Sequence, residues 1–129
     1  MSDADRAPSF GMQTIASASR SQLVCSGEID LSTAPRLEAE TGRLCAAGAS
    51  EIVLDLRKVS FMDSSGLKAT LASQRLCQEQ GRGFSVIPGQ AQVQRLFEIT
   101  AMYDLFRWRT TGQPRSHAYR DGQRSRLRI

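Results

Sequence analysis

The chain has 129 residues, 40% of them hydrophobic and 23% charged, with a formal net charge of +4. This supports one core of ordinary size and excludes a multidomain assembly and wholesale disorder. No apolar run approaches the ~20 residues that cross a bilayer, and MSDADRAPSF lacks the apolar stretch of a signal peptide. The expectation is a soluble cytoplasmic protein with no membrane insertion. The positive charge is concentrated at one end. Residues 109–129 hold six arginines against the single Asp121, so the remaining residues carry a slight negative excess. An argument for nucleic-acid binding from charge is therefore an argument about that segment alone.

Residues 1–10 read as a flexible N-terminus. GMQTIAS (11–17) and QLVCSGEI (22–29), joined by ASRS, read as a β-hairpin. In DLSTAPRLEAETGRLCAAG, Ser32 or Thr33 can cap a helix and Pro35 falls in its first turn. Ala34, Leu37, Thr41, Leu44 and Cys45 then recur at helical spacing, and Gly48 can end the helix. EIVLDL (51–56) is nearly continuously apolar, which suits a central strand covered on both faces. A turn follows, then a helix that runs to Gly81. FSVIP (84–88) reads as a strand. Residues 90–99 place Val93, Leu96 and Phe97 on one helical face, and YDLFRW (103–108) can add a short edge strand. Strands alternating with helices after a hairpin predict an α/β fold over residues 11–108. It is a single domain, with a mixed sheet and helices packed against it. Residues 109–129 read as a basic, mobile extension.

Cys25, Cys45 and Cys77 form no CxxC pair, and His117 is the only histidine. A structural zinc site normally takes four Cys or His ligands. The expectation is three reduced, buried thiols, no metal and no cofactor.

The stretch that carries chemistry is VSFMDSSGLKATL (59–71). A strand ends, and three residues of capping type follow in Asp63, Ser64 and Ser65. Gly66 then permits close backbone approach at the start of a helix. A helix N-terminus carries roughly half a positive charge and unpaired N–H groups, which suit an anion such as phosphate. The same three residues also suit plain capping. Along the helix, Ala69, Ala72 and Leu76 form a stripe of small and apolar residues that can lie against a sheet. Leu67 and Leu71 lie on another side. They can pack under a neighbouring helix or form the apolar part of a partner-binding surface.

SGEIDLSTAPRL, LDLRKVSFMDSSGL and VQRLFEITAMYDLF together resemble the bacterial anti-sigma factor antagonists, single domains of the STAS type, over residues 11–108. The resemblance implies a protein that binds an anti-sigma factor which is also a serine kinase, so that the sigma factor is released. It implies phosphorylation of the first serine of the turn, Ser64, followed by release of the partner and resetting by a phosphoserine phosphatase. Asp30, Asp63, Ser65 and Gly66 match positions of the same surface. With Leu67, Lys68 and Leu71 they make up the expected partner-binding set. Lys68 departs from the family, which usually has glycine there.

Three alternatives accompany this reading. A STAS domain can be a scaffold or accessory subunit of a stress-signalling or transport complex. The arginines beyond residue 108, with Tyr119 for stacking, can contact nucleic acid, although nucleic acid is not the expected partner. Ser64 or Ser65 as a catalytic nucleophile lacks a base, because His117 lies in the extension; no catalytic residue and no enzymatic activity are expected.

Overall fold

Residues 10–110 are described by a computed structural model. In chain order the elements are β1 (Gly11–Ser17), β2 (Arg20–Ile29), α1 (Ala34–Ala46), β3 (Glu51–Met62), α2 (Ser64–Glu79), β4 (Gly83–Ile87) and α3 (Ala91–Ile99). A 3-10 turn at Tyr103–Leu105 follows. The strands form one sheet in the order β1-β2-β3-β4. β1 and β2 pair antiparallel, as a hairpin must, while β2–β3 and β3–β4 are parallel. Parallel neighbours need a crossover, and α1 and α2 supply the two crossovers. The expected mixed α/β sheet with its N-terminal hairpin is the observed one.

Every side chain from Ile52 to Leu56 is buried, as a strand covered on both faces requires. One core joins Leu23, Ile52, Leu54 and Val86 of the sheet to Leu37 of α1, Leu67 of α2 and Phe97 of α3. Phe97 is fully buried and meets Phe106 and Trp108 edge-on, with ring centroids 5.5 and 5.0 Å away. Asp55 is the charged exception in the buried run. Burial alone would raise its carboxyl, but hydrogen bonds from the Arg57 side chain and backbone and from Gln22 hold it below the ordinary range.

Several boundaries differ from expectation, each for a physical reason. β2 begins at Arg20, so the hairpin turn is only Ala18–Ser19, with Ala18 at φ 54. β3 runs six residues past Leu56. Its pairing with β2 slips between Val24 and Ser26 and again between Gly27 and Glu28, and these bulges break the alternation that marks a strand. Neither Ser32 nor Thr33 caps α1 through its hydroxyl. The Thr33 hydroxyl accepts the Asp30 N–H and donates to the Glu28 carbonyl, and the Ser32 hydroxyl donates to Asp30.

Residues 103–108 form no edge strand. Tyr103 stacks on Trp108 at 4.9 Å, the Trp108 indole N–H donates to the Tyr103 carbonyl, and the segment's backbone pairs with β4 as the isolated Val86–Trp108 bridge. Arg109, expected in the extension, is tied to the sheet instead. Its N–H donates to the Val86 carbonyl at 2.7 Å and its guanidinium pairs with Glu51 at 2.9 Å. On α2, Ala69 is buried as expected, but Ala72 and Leu76 are half-buried and line a groove beside Glu38 of α1. Thr70, Ser73 and Gln74 are buried instead, because each has an internal partner: the Gly66 carbonyl, the Thr41 hydroxyl and the Leu105 carbonyl. The expectations for the flexible N-terminus through residue 9, and for Arg115, His117, Tyr119 and the other arginines beyond residue 110, fall outside the described residues.

The aromatic cluster is the packing anchor of α3 and of the segment after it. Phe97→Ala should lower the unfolding free energy by about 3–5 kcal/mol, read from urea titration. A loss below 1 kcal/mol would show that α3 is not anchored through this ring.

Candidate functional site

The parallel strands β2 and β3 end side by side, with Ile29 opposite Met62. The Asp63 N–H donates to the Ile29 carbonyl at 3.2 Å, which fastens the turn after β3 to the end of β2. Asp63 then caps α2. Its backbone is extended, and its Oδ1 accepts the N–H of Ser65 at 2.8 Å and of Gly66 at 3.4 Å. Its carbonyl accepts from Gly66 and Leu67 at 3.0 and 3.2 Å. Asp63 thus serves three of the first four N–H groups of α2 and leaves that of Ser64. The helix tip is therefore less open to an added anion than the sequence suggested, because one carboxylate already occupies it.

Gly66 is where α2 comes down on the sheet. A Cβ there would stand 2.4 Å from the Met62 side chain and 3.1 Å from the Ile29 carbonyl. The requirement is for close approach, as expected from the sequence, and it makes Gly66 an interior position. Leu67 is also interior, at 2% exposure, and Leu71 is half-buried against the same core. Of the two readings offered for this pair, packing holds for Leu67, whose side chain presents nothing to a partner.

The remaining site residues reach the surface or its edge. Ser64 is the first residue of α2 and is exposed, and its hydroxyl has no hydrogen-bond partner among the described residues. Lys68 is exposed one turn further along the same helical face. Ser65 is half-buried. Asp30 lies just after β2 in a tight loop. The Ser32 hydroxyl, together with the Thr33 and Ser32 N–H groups, holds its carboxyl below the usual carboxylate range. Asp30 is thus an anion fixed in place beside the Asp63–Ser64 turn.

Two apolar residues at this end were not anticipated. Leu31 is 78% exposed and Phe61 47% exposed. Leu31 follows Asp30, and Phe61 precedes Asp63 by two positions on β3. A signal for Leu31 was present, since it stands outside the apolar stripe of α1. Phe61 was masked by the unrecognised continuation of β3. The N-terminal side of α3 borders the same end, where the Gln92 amide donates to the Ser60 carbonyl at 3.0 Å. Among the described residues, the assembled surface has the fixed carboxylates of Asp30 and Asp63, the hydroxyls of Ser64 and Ser65, the Lys68 cation and two exposed apolar side chains. No histidine stands beside the serine among the described residues. Among the described residues, no three His, Cys, Asp or Glu side chains come together as a metal site, and no helix is long and apolar enough to cross a membrane.

The STAS domain family model matches residues 12–114. The anti-sigma-B factor antagonist of Staphylococcus aureus is 32% identical over 79 residues, which are 61% of this chain and 73% of that protein. The crystal structure of an anti-sigma factor antagonist from Mycobacterium paratuberculosis aligns with a TM-score of 0.71 at 27% identity, over 94% of this chain and 96% of that one. The anti-sigma factor antagonist SpoIIAA in its unphosphorylated form shares the fold, with a TM-score of 0.65 at 18% identity over 93% and 96% of the two chains. The chain belongs to the STAS domain family.

The cap makes a direct prediction. Asp63→Ala should cost about 1 kcal/mol of stability, and Asp63→Asn, which keeps an accepting oxygen, only a small part of that. Chemical denaturation of both variants measures it. Equal losses would show that the carboxylate acts through its charge and not as a cap.

Proposed function

We propose that this protein is an anti-sigma factor antagonist that works by partner switching. Its unmodified form binds an anti-sigma factor that is also a serine kinase, through the surface around Ser64, and that partner then gives up its sigma factor. The kinase transfers the γ-phosphoryl group of ATP to Ser64 Oγ. The new O–P bond forms as the bond to the ADP leaving group breaks, and the hydroxyl proton is lost. The modified protein dissociates, and a phosphoserine phosphatase restores the hydroxyl with water. The protein regulates by binding, without turnover of its own, in the cytoplasm where sigma factors act.

The observation that carries this reading is the placement of Ser64: exposed, without a hydrogen-bond partner among the described residues, and first on a helix whose neighbouring residue does the capping. Its hydroxyl has no fold-maintaining task to lose. A phosphoryl group adds about −1.5 to −2 of charge. The Ser64 N–H, the helix dipole and Lys68 favour that charge, while Asp63 opposes it. These effects offset one another within the folded chain. Across an interface they do not, because the group must be desolvated against a surface shaped around a hydroxyl. The names of the Staphylococcus and Mycobacterium relatives support the partner assignment. Asp30, Leu31, Phe61, Ser65 and Lys68 are the proposed contact residues around the serine. Leu31 and Phe61 supply the apolar area that fixed carboxylates alone would not.

The test uses the full chain with its cognate anti-sigma kinase and ATP. Phosphate should map to Ser64. Ser64→Glu should weaken binding about 100-fold, which corresponds to ~2.8 kcal/mol. Its melting temperature should stay within about 2 °C of the unmodified protein. Phosphate at another residue, or a glutamate variant that binds as tightly as wild type, would overturn the proposal.

A further inference from the structure

Cys45 lies on the last turn of α1 and Cys77 near the end of α2, and their Sγ atoms stand 3.8 Å apart. Both side chains are fully buried. A third group joins them. Arg82, in the connection from α2 to β4, donates its N–H to the Cys77 carbonyl at 2.8 Å, and its guanidinium reaches the Ala49 carbonyl. The guanidinium Nε is buried and has no hydrogen-bond partner among the described residues. Its charge acts on the Cys77 thiol in the direction that favours the thiolate.

We propose that Cys45 and Cys77 form a reversible oxidative staple between α1 and α2, with a hydroperoxide as the oxidant and Arg82, anchored on the Cys77 carbonyl, as the neighbouring cation. Disulfide sulfurs sit at about 2.05 Å and join Cβ atoms about 3.8 Å apart. Two thiols already at 3.8 Å on packed helices need side-chain rotation and a small helix adjustment to close that gap. The Cys77 thiolate attacks one peroxide oxygen. The O–O bond breaks and hydroxide leaves, which leaves a sulfenic acid on Cys77. The Cys45 sulfur then attacks the Cys77 sulfur. The S–S bond forms, the S–O bond breaks, and the oxygen departs as water once protonated. Overall, two thiols lose two protons and two electrons, and hydrogen peroxide becomes two waters.

The rest of the site tunes the rate and confines the effect. Burial, and then the neighbouring Cys45, push the Cys77 thiol up to about 12, which makes the pair slow to oxidise beside an exposed thiol. Cys25 has burial of the same kind, with Asp55 raising it further and no cation on it. The staple selects Cys45 and Cys77 over Cys25 by proximity and by Arg82. Cys77 lies thirteen residues beyond Ser64, about 20 Å along α2 at 1.5 Å per residue. The crosslink therefore closes the end of the helix pair remote from the candidate partner surface. It restrains the unfolded chain over the segment that contains β3 and the Asp63 turn.

The test treats the full-length protein with hydrogen peroxide under native conditions. The intact mass should fall by about 2 Da. Peptide mapping should place the bond between Cys45 and Cys77, with Cys25 free to alkylate after unfolding. The melting temperature should rise by about 5 °C and return with a reductant. Arg82→Gln should oxidise several-fold more slowly while its circular dichroism is unchanged. Cys45→Ala should lose the 2 Da change, and should that variant fail to fold, the mapped bond and the Arg82→Gln rate decide the matter. Thiols that stay intact, a bond that includes Cys25, crosslinked dimers, or an Arg82→Gln rate equal to wild type would overturn the proposal.

Discussion

The carboxylate of Asp63 is the point on which the candidate functional end of this molecule depends. It accepts the amides of Ser65 and Gly66, so that α2 starts at a fixed residue and in a fixed direction. Through its own N–H it is joined to the end of β2. One residue therefore sets both the register of the helix and its attachment to the sheet. Ser64, the next residue, is left with an exposed hydroxyl that the fold does not use. A serine that capped the helix itself would be hydrogen-bonded inward, and modifying it would strain the fold. On the proposed function, division of labour between Asp63 and Ser64 separates stability from signalling.

The rest of the architecture holds that turn still. Gly66 lets α2 approach to a distance that no side chain would permit. Leu67 enters the core one residue later, and Thr70 returns its hydroxyl to the Gly66 carbonyl at 2.8 Å. On the other side, Asp30 is gripped by the hydroxyls and amides of the loop that follows it. Two loops of different origin thus present their carboxylates in defined positions, with Leu31 and Phe61 exposed between polar neighbours. A rigid surface of this kind loses little entropy on binding. On the proposed function, a change at one hydroxyl then acts directly on affinity.

Much of this was legible in the sequence. Runs such as EIVLDL announce a central strand because a two-sided burial needs no alternation, and the Pro35 and Gly48 signals bracket α1 as geometry demands. The cap-rich DSSG turn and the need for a glycine were readable because capping chemistry is local. What was missed is long-range. The end of β3 was hidden by bulges that arise from pairing with β2. The burial of Thr70, Ser73 and Gln74 depends on partners that only folding brings close. The aromatic cluster of Phe97, Phe106 and Trp108 turned a strand-like hexapeptide into a turn. Leu67 illustrates the same limit: its spacing fits a core face or a partner surface, and only the packing of α2 on the sheet chooses between them.

The central claim is that partner recognition is confined to the end of the sheet where β2 meets the Asp63 turn. Amide hydrogen exchange of the full chain, alone and bound to its anti-sigma partner, tests it most directly. The account predicts new protection at residues 28–33 and 60–68, lost from the complex once Ser64 carries phosphate. Protection confined to β1, or to the turn after α3, with residues 60–68 unchanged, would contradict it.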